Sequence, residues 1–175
     1  MALQTSVVKC NQLSTVLGSN TTIQYRPVNV IFYATAAVTA STGGAQGTAY
    51  SIPIPAGLVK DSGHGLDILV IGQTAGTANA KSIGVQWGST AAQTRPFLTS
   101  NSGFFEMKFH ISRGLSNTNG DFTGILEHAD SNRMFGSQDI TCSSFDSDQN
   151  LNIVYTASAA NDVIFRQARV WAYGN

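Results

Sequence analysis

The sequence predicts an all-β fold, an antiparallel β-sandwich over residues 28–175 behind an extended N-terminal arm over residues 1–27. Three observations carry this reading. Apolar and polar residues alternate with a period of two in at least five segments, the spacing at which a half-buried strand turns its apolar side chains to one face. No apolar period of 3.6 persists for three helical turns. Clusters of Gly, Asn, Ser and Asp separate the alternating segments at short intervals, as the turns of a sandwich require.

The arm comes first. Residues 1–27 are polar with scattered apolar residues, among them Val7, Val8, Val16 and Leu17, and they end at Arg26-Pro27. No strand or helix period holds there, so these apolar side chains need a partner to cover them. From Val28 the alternation is clear: Val28, Val30, Phe32, Ala34, Ala36 and Val38 share one face. After the turn STGGAQG comes AYSIPIP, a strand interrupted by Pro53 and Pro55. Prolines two apart delete ladder donors on one side only, which suits an edge strand or a strand end. GLDILVIG, at 65–72, is apolar on both faces, as a central strand would be. QTAGTANA reads as a hairpin loop, and AKSIGVQWG then places Ile83, Val85 and Trp87 together. GFFEMKFHIS alternates Phe105, Met107, Phe109 and Ile111 against Phe104, Glu106, Lys108 and His110. FTGILEHA follows, then a polar stretch through Gly136, then NLNIVYTA with Leu151, Ile153 and Tyr155 inward. The final strand, DVIFRQARVWAYG, is apolar on both faces: parity puts Val163, Phe165, Trp171 and Tyr173 on one and Ile164, Ala168 and Val170 on the other. Two covers for it stand side by side, the N-terminal arm or a neighbouring subunit.

Composition narrows the function. Charged residues are 11% of the 175, and ten basic residues balance ten acidic ones. An average globular chain carries about 25%. The exposed faces must therefore be built from Ser, Thr, Asn, Gln and Gly, which suits life inside an assembly or outside a cell. Scattered Lys and Arg with no basic block argue against a nucleic-acid partner. The apolar run VIFYATAAV falls short of the roughly 20 residues that span a bilayer, and the N-terminus lacks a secretory pattern. Cys10 and Cys142 are too few for a disulfide scaffold; the thiols stand free or form a single bridge.

No chemistry-bearing pattern emerges. His64, His110 and His128 are not at metal-ligand spacing, and each reads as a solvated histidine. No nucleophile elbow is present, so no catalytic residue, cofactor or metal is expected. Asp146-Ser147-Asp148-Gln149-Asn150 starts like a calcium loop but has Leu151 and Ala157 where the glycine and glutamate belong. It reads as a polar hairpin. Trp87, Trp171 and the tyrosines suit either packing or stacking on sugars.

The run SIPIPAGLVKDSGHGLDILVIGQTAGTANAKSIGVQWG, with GFFEMKFHISRG and TASAANDVIFRQARVWAYG, resembles the jelly-roll proteins of tailed-phage virions, over about residues 46–175. The resemblance implies a jelly-roll-like sandwich, no enzymatic activity and a homotrimer. It also implies a place on the capsid exterior as a decoration or cement protein bound to the major capsid protein. Candidate attachment and interface residues are Val7, Val8, Val16 and Leu17 in the arm and Phe165, Trp171 and Tyr173 in the last strand. The alternative is a phage tail or fibre module that binds a host-surface glycan. A secreted hydrolase accessory domain ranks below both.

Overall fold

A computed structural model describes residues 14–17, 21–24, 29–35, 38–39, 42–97, 102–128 and 131–174. These form twelve strands: β1 (Ser14–Leu17), β2 (Thr21–Gln24), β3 (Asn29–Ala34), β4 (Gln46–Ile54), β5 (Gly65–Thr74), β6 (Lys81–Trp87), β7 (Gln93–Pro96), β8 (Gly103–Arg113), β9 (Asn119–His128), β10 (Ser131–Thr141), β11 (Gln149–Ala157) and β12 (Val163–Tyr173). There is no helix among the described residues.

Two sheets carry the body. One has the order β10-β9-β8-β5-β12-β3 and the other β4-β11-β6-β7, and every pairing is antiparallel. Without β9 and β10 the two orders become β8-β5-β12-β3 and β4-β11-β6-β7. That is the wiring of an eight-stranded jelly roll. The β9–β10 hairpin widens one sheet, and the all-β jelly-roll sandwich read from the sequence is the observed architecture. β1 and β2 pair with each other in a separate ribbon.

The inner faces follow the alternation. Ile83, Val85 and Trp87 meet Leu151 and Ile153 in one sheet, and all are buried. Leu66, Ile68 and Val70 lie between Ile111, Phe109 and Met107 on one side and Ala172, Val170 and Ala168 on the other. Phe165 sits at 0% exposure among Tyr50, Phe105 and Tyr155, ring centroids 5.2–6.1 Å away. Trp87 stacks on Phe145 at 5.0 Å and donates its indole N–H to the Ser143 carbonyl at 2.9 Å, satisfying the one polar atom such a ring must bury. Gly124 lies between Phe109 and Phe135; a Cβ there would come 2.3 Å from the Phe109 ring, and its absence lets the two rings meet at 5.2 Å.

Where the pattern reading fails, a bulge or a crossover explains it. The register of β12 slips between Phe165 and Gln167, so Arg166 is an extra residue. A bulge exchanges the faces of everything after it. Val163 and Phe165 point inward with Ala168, Val170 and Ala172, whereas Trp171 and Tyr173 lie on the outer face. The expected grouping of Phe165 with Trp171 and Tyr173 is therefore corrected. A second bulge, at Ile31, parts Val30 from Phe32: Val30 stands opposite Trp171 on the outer face at 61% exposure, while Phe32 packs on the core. QTAGTANA is not a hairpin loop, because β5 and β6 belong to different sheets. Pro53 does lie on an edge strand, since β4 ends its sheet.

Three crossovers meet at one end of the sandwich and are stitched together. Asp162, between β11 and β12, is 1% exposed. Its carboxylate accepts from Thr77 Oγ1 at 2.8 Å, Asn79 Nδ2 at 3.0 Å and the Ala159 N–H at 2.8 Å. Lys81, 2% exposed, donates from Nζ to the carbonyls of Thr77 and Asn79. Thr42, between β3 and β4, exchanges hydrogen bonds with Ala157 through both backbone and side chain.

Candidate interaction surface

The outer faces of the two sheets differ in chemistry. On the four-stranded sheet the outward residues include Ser51, Asn152 and Gln86 in one cross-strand row, Ser82 and Thr156 in another, and Thr48, Val154 and Thr94 between them. Amides and hydroxyls dominate it, with Ser82 donating to Thr156 at 3.0 Å.

The six-stranded sheet is different. Five of its outward side chains are large, apolar and exposed: Val30 at 61%, Tyr33 at 54%, Phe104 at 73%, Ile125 at 37% and Met134 at 76%. Pairing aligns Tyr33, Arg169, Leu69, Lys108, Ile125 and Met134 in one row across all six strands. A groove of about 460 Å³ runs over the middle of this face, lined by Leu69, Ile125, Met134 and Trp171, with Asp67, His110 and Thr123 at its polar end. Exposed large apolar side chains gathered around a groove make this face the candidate interaction surface, although Arg169, Lys108, Glu106 and Glu127 stand among them.

The polar groups on the face are held in place. Asp67 and His110 stand opposite each other on β5 and β8, with His110 Nδ1 2.9 Å from Asp67 Oδ1. The Tyr173 ring stacks on His110 at 5.0 Å, its hydroxyl 2.5 Å from Nε2. The Arg169 guanidinium lies 4.9 Å over the Tyr33 ring, a cation–π contact, and the Gln167 amide reaches the Tyr33 hydroxyl at 3.2 Å. Lys108 pairs with Glu106 at 2.6 Å and Glu127 at 3.8 Å. The hydrogen bond that it donates to Glu106 and the charges of both glutamates hold its ammonium above the usual lysine value.

The structure treats the sequence-derived candidates unequally. Val7 and Val8 lie outside the described residues, and Val16 and Leu17 fall in β1. Phe165 is core, not interface. Trp171 lines the groove and Tyr173 flanks its polar end, both on the outer face. Tyr33, Leu69, Phe104, Ile125 and Met134 were missed. FRQAR, which breaks the alternation of the last strand as a bulge does, is a signal only for the outward turn of Trp171 and Tyr173; these five lie on other strands.

Other expectations are settled by partners. His110 is on the outer face, but His128 is nearly buried, 2.9 Å from Thr74 Oγ1 and 5.4 Å from the Phe97 ring, so it is not a solvated histidine. In the stretch that starts like a calcium loop, Asp146 is engaged by Arg113 at 2.5 Å, and Asp148 accepts from the Ala56 N–H at 2.8 Å. The Arg113 hydrogen bond, helped by Asn117, holds the Asp146 carboxyl below its ordinary value. Cys142 is a free, buried thiol, and burial pushes its pKa up to about 11. Cys10 lies outside the described residues. No helix among them is long and apolar enough to cross a membrane, and no cluster of three or more metal-ligating side chains occurs among them.

No protein-family model matches the chain, and no curated protein matches it. Among solved structures, a protein of unknown function from Shewanella oneidensis MR-1 aligns over 93% of this chain and 77% of its own length, at 10% identity and a TM-score of 0.38. A likeness at that level carries no argument about function.

Proposed function

We propose that this chain is a non-enzymatic structural protein of a tailed-phage virion, a decoration or cement protein that binds the major capsid protein as a homotrimer. The observation that carries the reading is the contrast between the two outer faces. One holds a groove and five exposed large apolar side chains set among paired charges, backed by six strands; the other offers amides and hydroxyls without charge. Cementing needs a rigid body with one surface to bury and one to leave in water, and no reacting group. The resemblance in the chain's loops and turns points to the same class.

The test is direct. Purified protein is mixed with heads of the phage that encodes it, sedimented, and imaged. Trimeric density bound to the shell at stoichiometric occupancy is the expected result. Protein left in the supernatant while the tail or fibre carries it would refute the capsid assignment.

One observation favours the second reading, a tail or fibre module that binds a host-surface glycan. Trp171 lies in the groove beside Asp67 and His110, an aromatic platform next to hydrogen-bonding groups, which is what a pyranose ring requires. Under that reading Trp171→Ala abolishes binding to host cells and leaves head binding untouched.

A further inference from the structure

Two sheets have four edges, and three of them are blunted. β4 carries Pro53, with Pro55 just beyond its end. β7 is four residues long, ends in Pro96 and sets Arg95 opposite the buried Ile83. β10 is broken by a register shift between Ser137 and Ile140, with Asp139 at φ 51° and Gly136 at φ 120°. It also leans on β7 through a hydrogen bond from Ser137 Oγ to Gln93. Prolines, short length, inward charge and bulges are the devices by which sheets prevent edge-to-edge pairing. The fourth edge carries the fewest: its one device is the bulge at Ile31. β3 reads NVIFYA, without proline, glycine or charge, and among the described residues it pairs with β12 alone.

The chain also holds strands that need a sheet. Among the described residues β1 and β2 pair only with each other, and a lone two-stranded ribbon is at best marginally stable in water. Its chemistry matches the open edge. Between Lys9 and Lys60 the only charged residue is Arg26, so a pairing of this ribbon with β3 brings no charge into the ladder. Within one chain such a pairing would need a reversal over residues 25–28, Tyr-Arg-Pro-Val. A residue before proline favours extended backbone, so Arg26-Pro27 favours carrying the chain onward, away from its own β3.

The geometry points to strand exchange: the open edge of β3 is completed by the β1–β2 ribbon of a second copy, and the exchange closes head-to-tail into a ring of three. A heterologous contact of this kind closes or polymerises, and the shared sheet supplies main-chain hydrogen bonds with no specific side-chain lock. The ring supplies the trimer of the capsid reading, but the exchange itself can be tested without any capsid.

The test uses the full-length chain with Cys10→Ser. One preparation carries Thr22→Cys in β2, and two others carry Val30→Cys or Tyr33→Cys in β3. Preparations are mixed after joint refolding and oxidised. Disulfide-linked pairs of chains in at least one mixture, with a light-scattering mass of three chains, are expected. Chains that stay unlinked and monomeric overturn the inference, as does a Thr22–β3 disulfide that forms only within a chain carrying both cysteines. Val30→Lys provides a second reading: the side chain is 61% exposed, so the fold tolerates it, yet a lysine beside the open edge should lower the mass threefold. A trimer that survives Val30→Lys also overturns the exchange. Linked trimers that ignore phage heads would sink the capsid reading and leave the exchange standing; monomers that decorate heads would do the reverse.

Discussion

Replacing Asp162 with alanine should cost more stability than any exposed substitution in the chain. The carboxylate is 1% exposed and gathers three donors, from Thr77, Asn79 and Ala159, across two crossover loops. Removing it leaves those donors unpaired. It also strips Lys81, 2% exposed, of the nearby negative charge. Breaking a buried ionic network by deleting one partner costs about 3–5 kcal/mol. At roughly 2–4 °C per kcal/mol for a domain of this size, that is a fall in Tm of about 6–20 °C. Thermal unfolding followed by far-ultraviolet circular dichroism reads it. The acid limb supplies an independent check. Burial alone would raise the Asp162 carboxyl, but its hydrogen bonds and the charge of Lys81 outweigh burial and hold it below the ordinary 3.8. A depressed carboxyl contributes stability that is fully present above that ordinary value and is lost as pH falls through the native one. The gap between wild type and Asp162→Asn should therefore be widest near neutrality and should close in acid below pH 3.8. A Tm change under 3 °C for Asp162→Ala, or a gap that stays constant down to acid, would refute the reasoning.

Three further outcomes follow from the geometry. Deleting Arg166 removes the β12 bulge and drives Trp171 and Tyr173 toward the core; insoluble expression or loss of the cooperative melt is expected, whereas Arg166→Ala should melt within a few degrees of wild type. Met134→Glu and Phe104→Glu, at positions 76% and 73% exposed, should leave Tm nearly unchanged and reduce binding to phage heads at least tenfold by co-sedimentation. Cys142, with its thiol at about 11, should react with a thiol reagent at pH 7.5 at least a hundredfold faster in urea than in the native state.

The sequence resolved those strands whose alternation runs unbroken. β6, β8 and β11 contain no inserted residue, so their inward residues were legible one by one, even though Phe104 and Val154 put apolar side chains at outward positions. β7 and β10 were not: Gln93–Pro96 is too short to show a period, and Ser131–Thr141 is polar with its main apolar pair, Met134 and Phe135, on opposite faces. The candidate surface was only half legible. Trp171 and Tyr173 stand out as aromatics on a terminal strand, but parity groups them with Phe165 unless the break at FRQAR is read as an inserted residue. The tie between Asp162 and Thr77 was invisible because two crossovers distant in sequence meet only after the sheets have formed.

The uncharged outer face of the four-stranded sheet has a consequence for the surroundings the protein tolerates. Dissolved salt acts on exposed proteins largely by screening charges, over about 10 Å at 0.1 M. Ser51, Ser82, Gln86, Asn152 and Thr156 offer it almost nothing to screen. Their hold on water comes from hydrogen bonds, which persist from fresh water to brine. Over the range in which salt acts by screening, such a face has almost no charge for it to act on; only salts excluded from the protein surface at much higher concentration would alter it.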